Sequence, residues 1–303
     1  MTPNQFAARR RFVETSQGRI AYVAHGKGPA AIFIHGVPLN GYHWRGQLER
    51  LADFRTCIAI DLLGLGATEP QVGCSLSFPN QAQMILEVLD QLDLVEFDLV
   101  GNDSGGAIAQ LVAVEVPDRV RSLVLTNCDV HDNWPPPAFT PAFTLAKHGR
   151  LATAMSEMLG NLGLARSDLG LGATFENPEH LTEELVRTYI GPLVATPERR
   201  ALLDQFVSEM DPIQTVAIEA KLAKLQTPTL MIWGTDDVFF PPAWAHWLRR
   251  KIPGATKVVE LEGSRLFLAE ERPEYVSRLI RDHWTGSRTG GSQPTTAPVA
   301  QAS

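Results

Sequence analysis

The chain has 303 residues, with 27 Lys and Arg against 34 Asp and Glu, for a formal net charge of −7. At about 150 residues per domain this is one large domain or two. An apolar content of 44% with 20% charged residues excludes a wholly disordered chain and a small stapled scaffold. The acidic balance argues against a nucleic-acid binder, which would show a basic face. The cysteines, Cys57, Cys74 and Cys128, are odd in number and lack CxxC spacing. They make neither a disulfide framework nor a zinc site, and they fit a reducing, cytoplasmic compartment. Arg9 to Arg11 are followed by no apolar run, so no export signal is expected. The longest apolar runs are strand-sized, which points away from a membrane partner.

Along the first half, short β-branched runs alternate with amphipathic stretches. Residues 30–34 read as a buried strand ending at His35-Gly36, with a short helix over 43–52. Residues 56–61 form the next strand and run into Gly64-Leu65-Gly66. Over 78–94 the apolar residues Ala82, Ile85, Leu86, Leu89 and Leu92 fall at helical spacing. Strands are expected at 97–100 and 120–125, flanking a helix over 105–116 that Pro117 stops. Runs apolar on both faces and separated by helices imply a parallel sheet covered on both sides. From about 130 to 225 no convincing strand appears, and helical stretches lie at 145–159, 182–189, 197–209 and 213–224. The alternation then resumes with strands at 229–233 and 257–261 and helices at 243–251 and 273–284. The expected organisation is a core of residues 1–129 and 226–284, a helical cap of residues 130–225, and a disordered tail of residues 285–303 rich in Gly, Ser, Thr, Pro and Ala.

In open parallel sheets ligands bind beyond the carboxyl ends of the strands, so the loops after those ends hold the chemistry. After Val100 comes Gly101-Asn102-Asp103-Ser104-Gly105-Gly106. A strand, a tight small-x-nucleophile-x-small turn and a helix make a nucleophile elbow, whose flanks must be small because backbones pass close. Centred on Asp103 the flanks are Gly101 and Gly105; centred on Ser104 one of them is Asn102. Asp103 is therefore the better candidate for the exposed tip. The bland alternative is a Gly-rich turn with Asp103 as a helix N-cap.

Together with His35-Gly36-Val37-Pro38, Asp61-Leu62-Leu63-Gly64-Leu65-Gly66 and Trp233-Gly234-Thr235-Asp236-Asp237, this turn resembles the α/β-hydrolase superfamily over residues 20 to 284. The resemblance implies a mostly parallel sheet with helices on both faces and a helical cap inserted before the last two strands. It implies that the backbone N–H groups of Ser104 and Val37 form an oxyanion hole, that His35 is structural, and that Asp237 is the triad acid. Asp129 stands as a second candidate acid. An aspartate at the elbow is similar to the branch of haloalkane dehalogenases and epoxide hydrolases. There a carboxylate, already ionised at neutral pH, attacks an sp3 carbon, and water activated by a histidine hydrolyses the resulting ester.

This chain departs from that pattern. The loop after the last strand reads Gly263-Ser264-Arg265-Leu266-Phe267-Leu268-Ala269-Glu270-Glu271-Arg272-Pro273. Leu266 stands where the family has its histidine, and leucine accepts no proton. The halide-gripping indole and amide are absent, since Ser104 and Val37 occupy those places. Of the lid tyrosines of epoxide hydrolases only Tyr189 exists. The remaining candidate base is His131, which Asp129 or Asp132 could orient; the alternative is a loop that merely caps the insertion's first turn. No ligand pair here has a recognised metal-site spacing, so neither a metal nor another cofactor is expected.

The leading expectation is hydrolysis of a small apolar electrophile through an ester on Asp103, with Asp237 and His131 completing the catalytic set. Two alternatives stay open. One is lyase, isomerase or cyclase chemistry with Asp103 as acid or base. The other is a degenerate, non-catalytic binder of a small ligand. Trp134, Phe139, Phe143, Met155, Met158, Phe175 and Phe206 suggest an apolar roof, although most would serve equally as the insertion's own core. Oligomeric state is not readable.

Overall fold

The computed structural model describes residues 1–286. A nine-stranded sheet runs through it in the order β1-β2-β4-β3-β6-β7-β8-β9, with β5 beside β2. The strands are β1 (Arg10–Thr15), β2 (Gly18–Gly26), β3 (Ala30–Ile34), β4 (Thr56–Ile60), β5 (Glu69–Pro70), β6 (Phe97–Asp103), β7 (Val120–Cys128), β8 (Thr229–Gly234) and β9 (Ala255–Leu261). From β4 through β9 all pairings are parallel, while β1, β2 and β5 add antiparallel pairs at one edge.

Every strand expected from the sequence is present. Ala30–Ile34 and Phe97–Asp103 are buried along their whole length, as residues covered by helices on both faces must be. Flanking helices include Phe78–Gln91, Ser104–Glu115, Ala243–Lys251 and Pro273–Gly286. The last of these extends through Thr285 and Gly286, so the expected tail does not begin at residue 285; its remainder, 287–303, lies outside the described residues. The N-terminal strands β1 and β2 carry no signal as clear as the buried ones. β1 is half-exposed, with Arg and Glu on its open side.

Between β7 and β8 the chain runs through helices, among them Thr140–Lys147, Leu151–Ser156, Glu183–Val194 and Pro197–Glu209. The expected single helix at 145–159 is instead two, broken at His148-Gly149-Arg150, where Gly149 takes a positive φ of 66°. These helices pack on one another around Leu185, Tyr189, Leu203, Phe206 and Val207, all buried. The insertion therefore leaves the sheet at the carboxyl end of β7 and returns to it at the amino end of the adjacent parallel strand β8.

Candidate active site

At the end of β6 the backbone turns sharply into the helix Ser104–Glu115, and Asp103 sits at the bend with φ 54° and ψ −137°. A non-glycine residue at positive φ is strained, and such strain persists only where the surroundings over-determine it. They do so here. A Cβ at Gly101 would fall 2.6 Å from the Gly105 carbonyl oxygen and 2.8 Å from the Gly106 Cα. The bare backbones therefore pack against each other and hold the turn shut.

The Asp103 side chain makes no capping bond to the helix that follows, so the bland reading of this residue as an N-cap does not hold. Its carboxyl group is buried and faces a cavity of about 170 Å³. The walls are mostly apolar, with Asp168 and Thr174 among them. Trp134, Phe139, Leu151, Met155, Met158 and Leu171 come from the insertion, and Val37, Phe239, Phe240 and Leu266 from the core. Phe143, Phe175 and Phe206 do not line it; Phe175 and Phe206 are fully buried in packing. A dry apolar cavity of about 150 Å³ in another protein takes up benzene, which sets the scale of the molecule this one can hold.

Three carboxyl groups converge beneath the cavity. Burial, and then the charge of Asp129, hold the Asp103 carboxyl well above the usual carboxylate range, against the opposing effect of the Ser104 and Val37 backbone N–H groups. Burial followed by the charge of Asp237 pushes Asp129 up to about 8. Burial pushes Asp237 up to about 7, opposed by donated hydrogen bonds. Those bonds come from Asn127 Nδ2 to Asp237 Oδ2 at 2.7 Å and from the Phe239 N–H to Oδ1 at 2.8 Å. Asn127 itself accepts the Gly234 N–H at 2.7 Å, which ties the ends of β7 and β8 together. Sequence reasoning passed over Asn127 and the Phe239-Phe240 pair. Their place at the carboxyl end of β7 and in the loop after β8 was the available signal.

Val37 and Ser104 both lie beside Asp103, and the Val37 N–H donates to Ser104 Oγ at 3.1 Å. The Ser104 hydroxyl is fully buried and is not among the groups lining the cavity. Leu266 stands against the cavity, with its carbonyl oxygen accepting from Asn102 Nδ2 at 3.0 Å. His35 is structural: its Nε2 accepts the Leu62 N–H at 3.2 Å, and burial lowers its pKa to about 4. Tyr189 turns away from the cavity and donates to Glu270 at 2.6 Å.

His131 is the correction. Its ring lies between Asp132, 3.0 Å from Nδ1, and Glu219, 3.0 Å from Nε2, and it packs on Trp247 with ring centroids 4.8 Å apart. It does not line the cavity. The polar loop that suggested a base instead fastens the start of the insertion to its end, because two carboxylates and an indole compete successfully for the imidazole. Among the described residues no histidine lines the cavity with Asp103.

The family model for the alpha/beta hydrolase fold matches residues 29–271. A haloalkane dehalogenase 2 of Mycobacterium tuberculosis is 31% identical over 288 residues, covering 92% of this chain and 96% of its own. A cis-3-alkyl-4-alkyloxetan-2-one decarboxylase of Shewanella oneidensis is 24% identical over 300 residues, covering 94% and 91%. The crystal structure of the haloalkane dehalogenase DbeA from Bradyrhizobium elkani superposes with a TM-score of 0.76 at 24% identity, covering 93% of this chain and 98% of that one. With sheet order, elbow and family match in agreement, the chain belongs to the α/β-hydrolase fold family.

Proposed function

We propose that this protein acts on a small apolar electrophile through Asp103. The carboxylate oxygen forms a bond to an electrophilic carbon as that carbon's bond to a halide or epoxide oxygen breaks, and the departing atom takes the electron pair. Water then hydrolyses the ester and restores the carboxylate. The observation that carries this reading is that Asp103 Oδ2 is buried and has no hydrogen-bond partner within the protein, in a carboxyl group presented by a strained bend to an apolar cavity. A buried acceptor left without a partner is costly, and such groups mark sites where a ligand supplies the missing contact. The haloalkane dehalogenases among the relatives support this class of substrate, while Ser104 and Val37, standing where those enzymes grip halide, leave the leaving group open.

A second reading is favoured by one observation. With Leu266 in the imidazole's place and burial holding three carboxyl groups above the usual carboxylate range, Asp103 would hold or accept a proton rather than form an ester, giving lyase, isomerase or cyclase chemistry. The decarboxylase among the relatives supports it.

The experiment is intact-mass measurement during exposure to 1-bromobutane and to 1,2-epoxybutane in 18O-labelled water. The covalent reading expects an adduct or a labelled alcohol from the wild-type protein, 18O in the Asp103 carboxyl group after a single turnover, and loss of both in Asp103→Asn. Product that never carries solvent oxygen would establish the second reading. Product from Asp103→Asn at the wild-type rate would overturn both. Leu266→His, which places an imidazole beside Asp103, should speed ester release.

A further inference from the structure

Asp129 directly follows Cys128, the residue in register with Asp103 across the β6–β7 pair. It is 1% exposed, and neither carboxylate oxygen has a hydrogen-bond partner within the protein. Asp237 provides the contrast: both of its oxygens are held, by Asn127 and by the Phe239 amide, so it is fixed in place and its lone pairs are already engaged. A carboxylate has about four acceptor sites, and on Asp129 none is taken by a donor of the protein. The ionisable groups that act on it and on one another are Asp103, Asp237 and the Cys128 thiol, with Arg265 acting on Asp237. A buried carboxyl group with no donor costs the folded chain stability and returns none through packing. Leu266, meanwhile, removes the one group that would ordinarily have taken a proton here.

Resting on the covalent reading above, we propose that Asp129 is the proton acceptor of the second half-reaction, in place of the missing imidazole. Water attacks the carbonyl carbon of the Asp103 ester as one of its protons passes to the Asp129 carboxylate. The tetrahedral intermediate then breaks its bond to the alkoxy oxygen, which takes the electron pair and collects that proton from Asp129. The products are an alcohol and the regenerated Asp103, with Asp129 again ionised. A base is most effective when its pKa lies near the working pH, and the environment that raises Asp129 to about 8 brings a carboxylate into that range. Asp237, held by its own donors, raises Asp129 through its charge.

Rapid-quench intact-mass measurement with 1-bromobutane as the probe separates the two half-reactions. In Asp129→Asn the butyl adduct should form at close to the wild-type rate and persist, with release slowed by about 100-fold or more, the scale of general-base catalysis. In Asp129→Asn/Leu266→His, release should return, because an imidazole now takes the proton; this also shows that the amide variant is folded and competent. Release from Asp129→Asn at the wild-type rate would overturn the assignment, as would an equal loss of adduct formation and release that the added histidine does not repair. Absence of adduct and product in every variant, wild type included, would instead overturn the covalent reading, and the role of Asp129 with it.

Discussion

Asp103 shows how much one residue can be made to bear. A positive φ on a non-glycine residue costs about 1–3 kcal/mol, and burial of its carboxyl group adds to that. Both costs are tolerated because the small flanks close the turn and a large apolar core surrounds it. The neighbouring carboxyl groups make a prediction about stability. The folded chain holds Asp129 at about 8 and Asp237 at about 7, while the unfolded chain releases these protons near pH 4. Between those limits the folded state binds more protons, so stability is full at low pH and falls as pH rises toward 8. Urea unfolding at pH 5 and pH 9 should show the wild-type protein losing on the order of a few kcal/mol across that interval, and Asp129→Asn losing clearly less. His131 makes the opposite kind of prediction. Since its ring is occupied by Asp132 and Glu219, His131→Ala should lower the melting temperature modestly and leave ester formation and release at wild-type rates; a slowed release measured by intact mass would contradict its placement.

At the scale of elements, the elbow and the loop after β3 form one unit. A Cβ at Gly36 would overlap the Asp103 carboxylate, so the β3 loop sets where that carboxylate can lie. Gly36→Ala should therefore displace it and abolish adduct formation on Asp103. Folding should be weakened by only about 1–3 kcal/mol, the usual cost of overpacking; circular dichroism melts alongside intact-mass kinetics separate the two effects. The elements near the site were legible in the sequence because their residues obey local rules: an unbroken apolar run for β3, Phe97 with Leu99-Val100 for β6, and glycines where backbones touch. β1, β2 and β5 were less legible. Their pairing is antiparallel, at one edge of the sheet, and half-exposed strands carry only a weak alternation of polar and apolar residues.

At the scale of the molecule, the insertion is fastened to the core by a buried polar joint. Glu270, in the short helix after Leu266, takes Arg45 Nη2 at 2.8 Å, the Tyr189 hydroxyl at 2.6 Å and His43 Nδ1 at 3.3 Å. Charge compensation from Arg45 and these bonds hold its pKa below the usual range despite burial. Glu270→Gln would leave the Arg45 charge without its partner, and removing one member of a buried pair costs about 3–5 kcal/mol. The expected result is a markedly lower melting temperature, together with increased proteolysis within residues 137–225 as the insertion loosens. An unchanged melting temperature would show that the joint contributes nothing to holding the two parts together.

The sequence by itself determined the fold family, the parallel sheet, the helical insertion and the candidacy of Asp103, because each rests on short-range patterns: burial periodicity, turn chemistry and the small flanks of one bend. It also exposed the missing histidine at Leu266, since a motif with one wrong residue is still a motif. It could not show that His131 belongs to Glu219 and Trp247, or that Asp129 and Asp237 lie together with Asp103 beneath one apolar cavity. Those relations join residues that are from tens to more than a hundred positions apart. They are decided by which strands lie side by side and by which partner outcompetes the others for a side chain, and only the packed tertiary structure settles that competition.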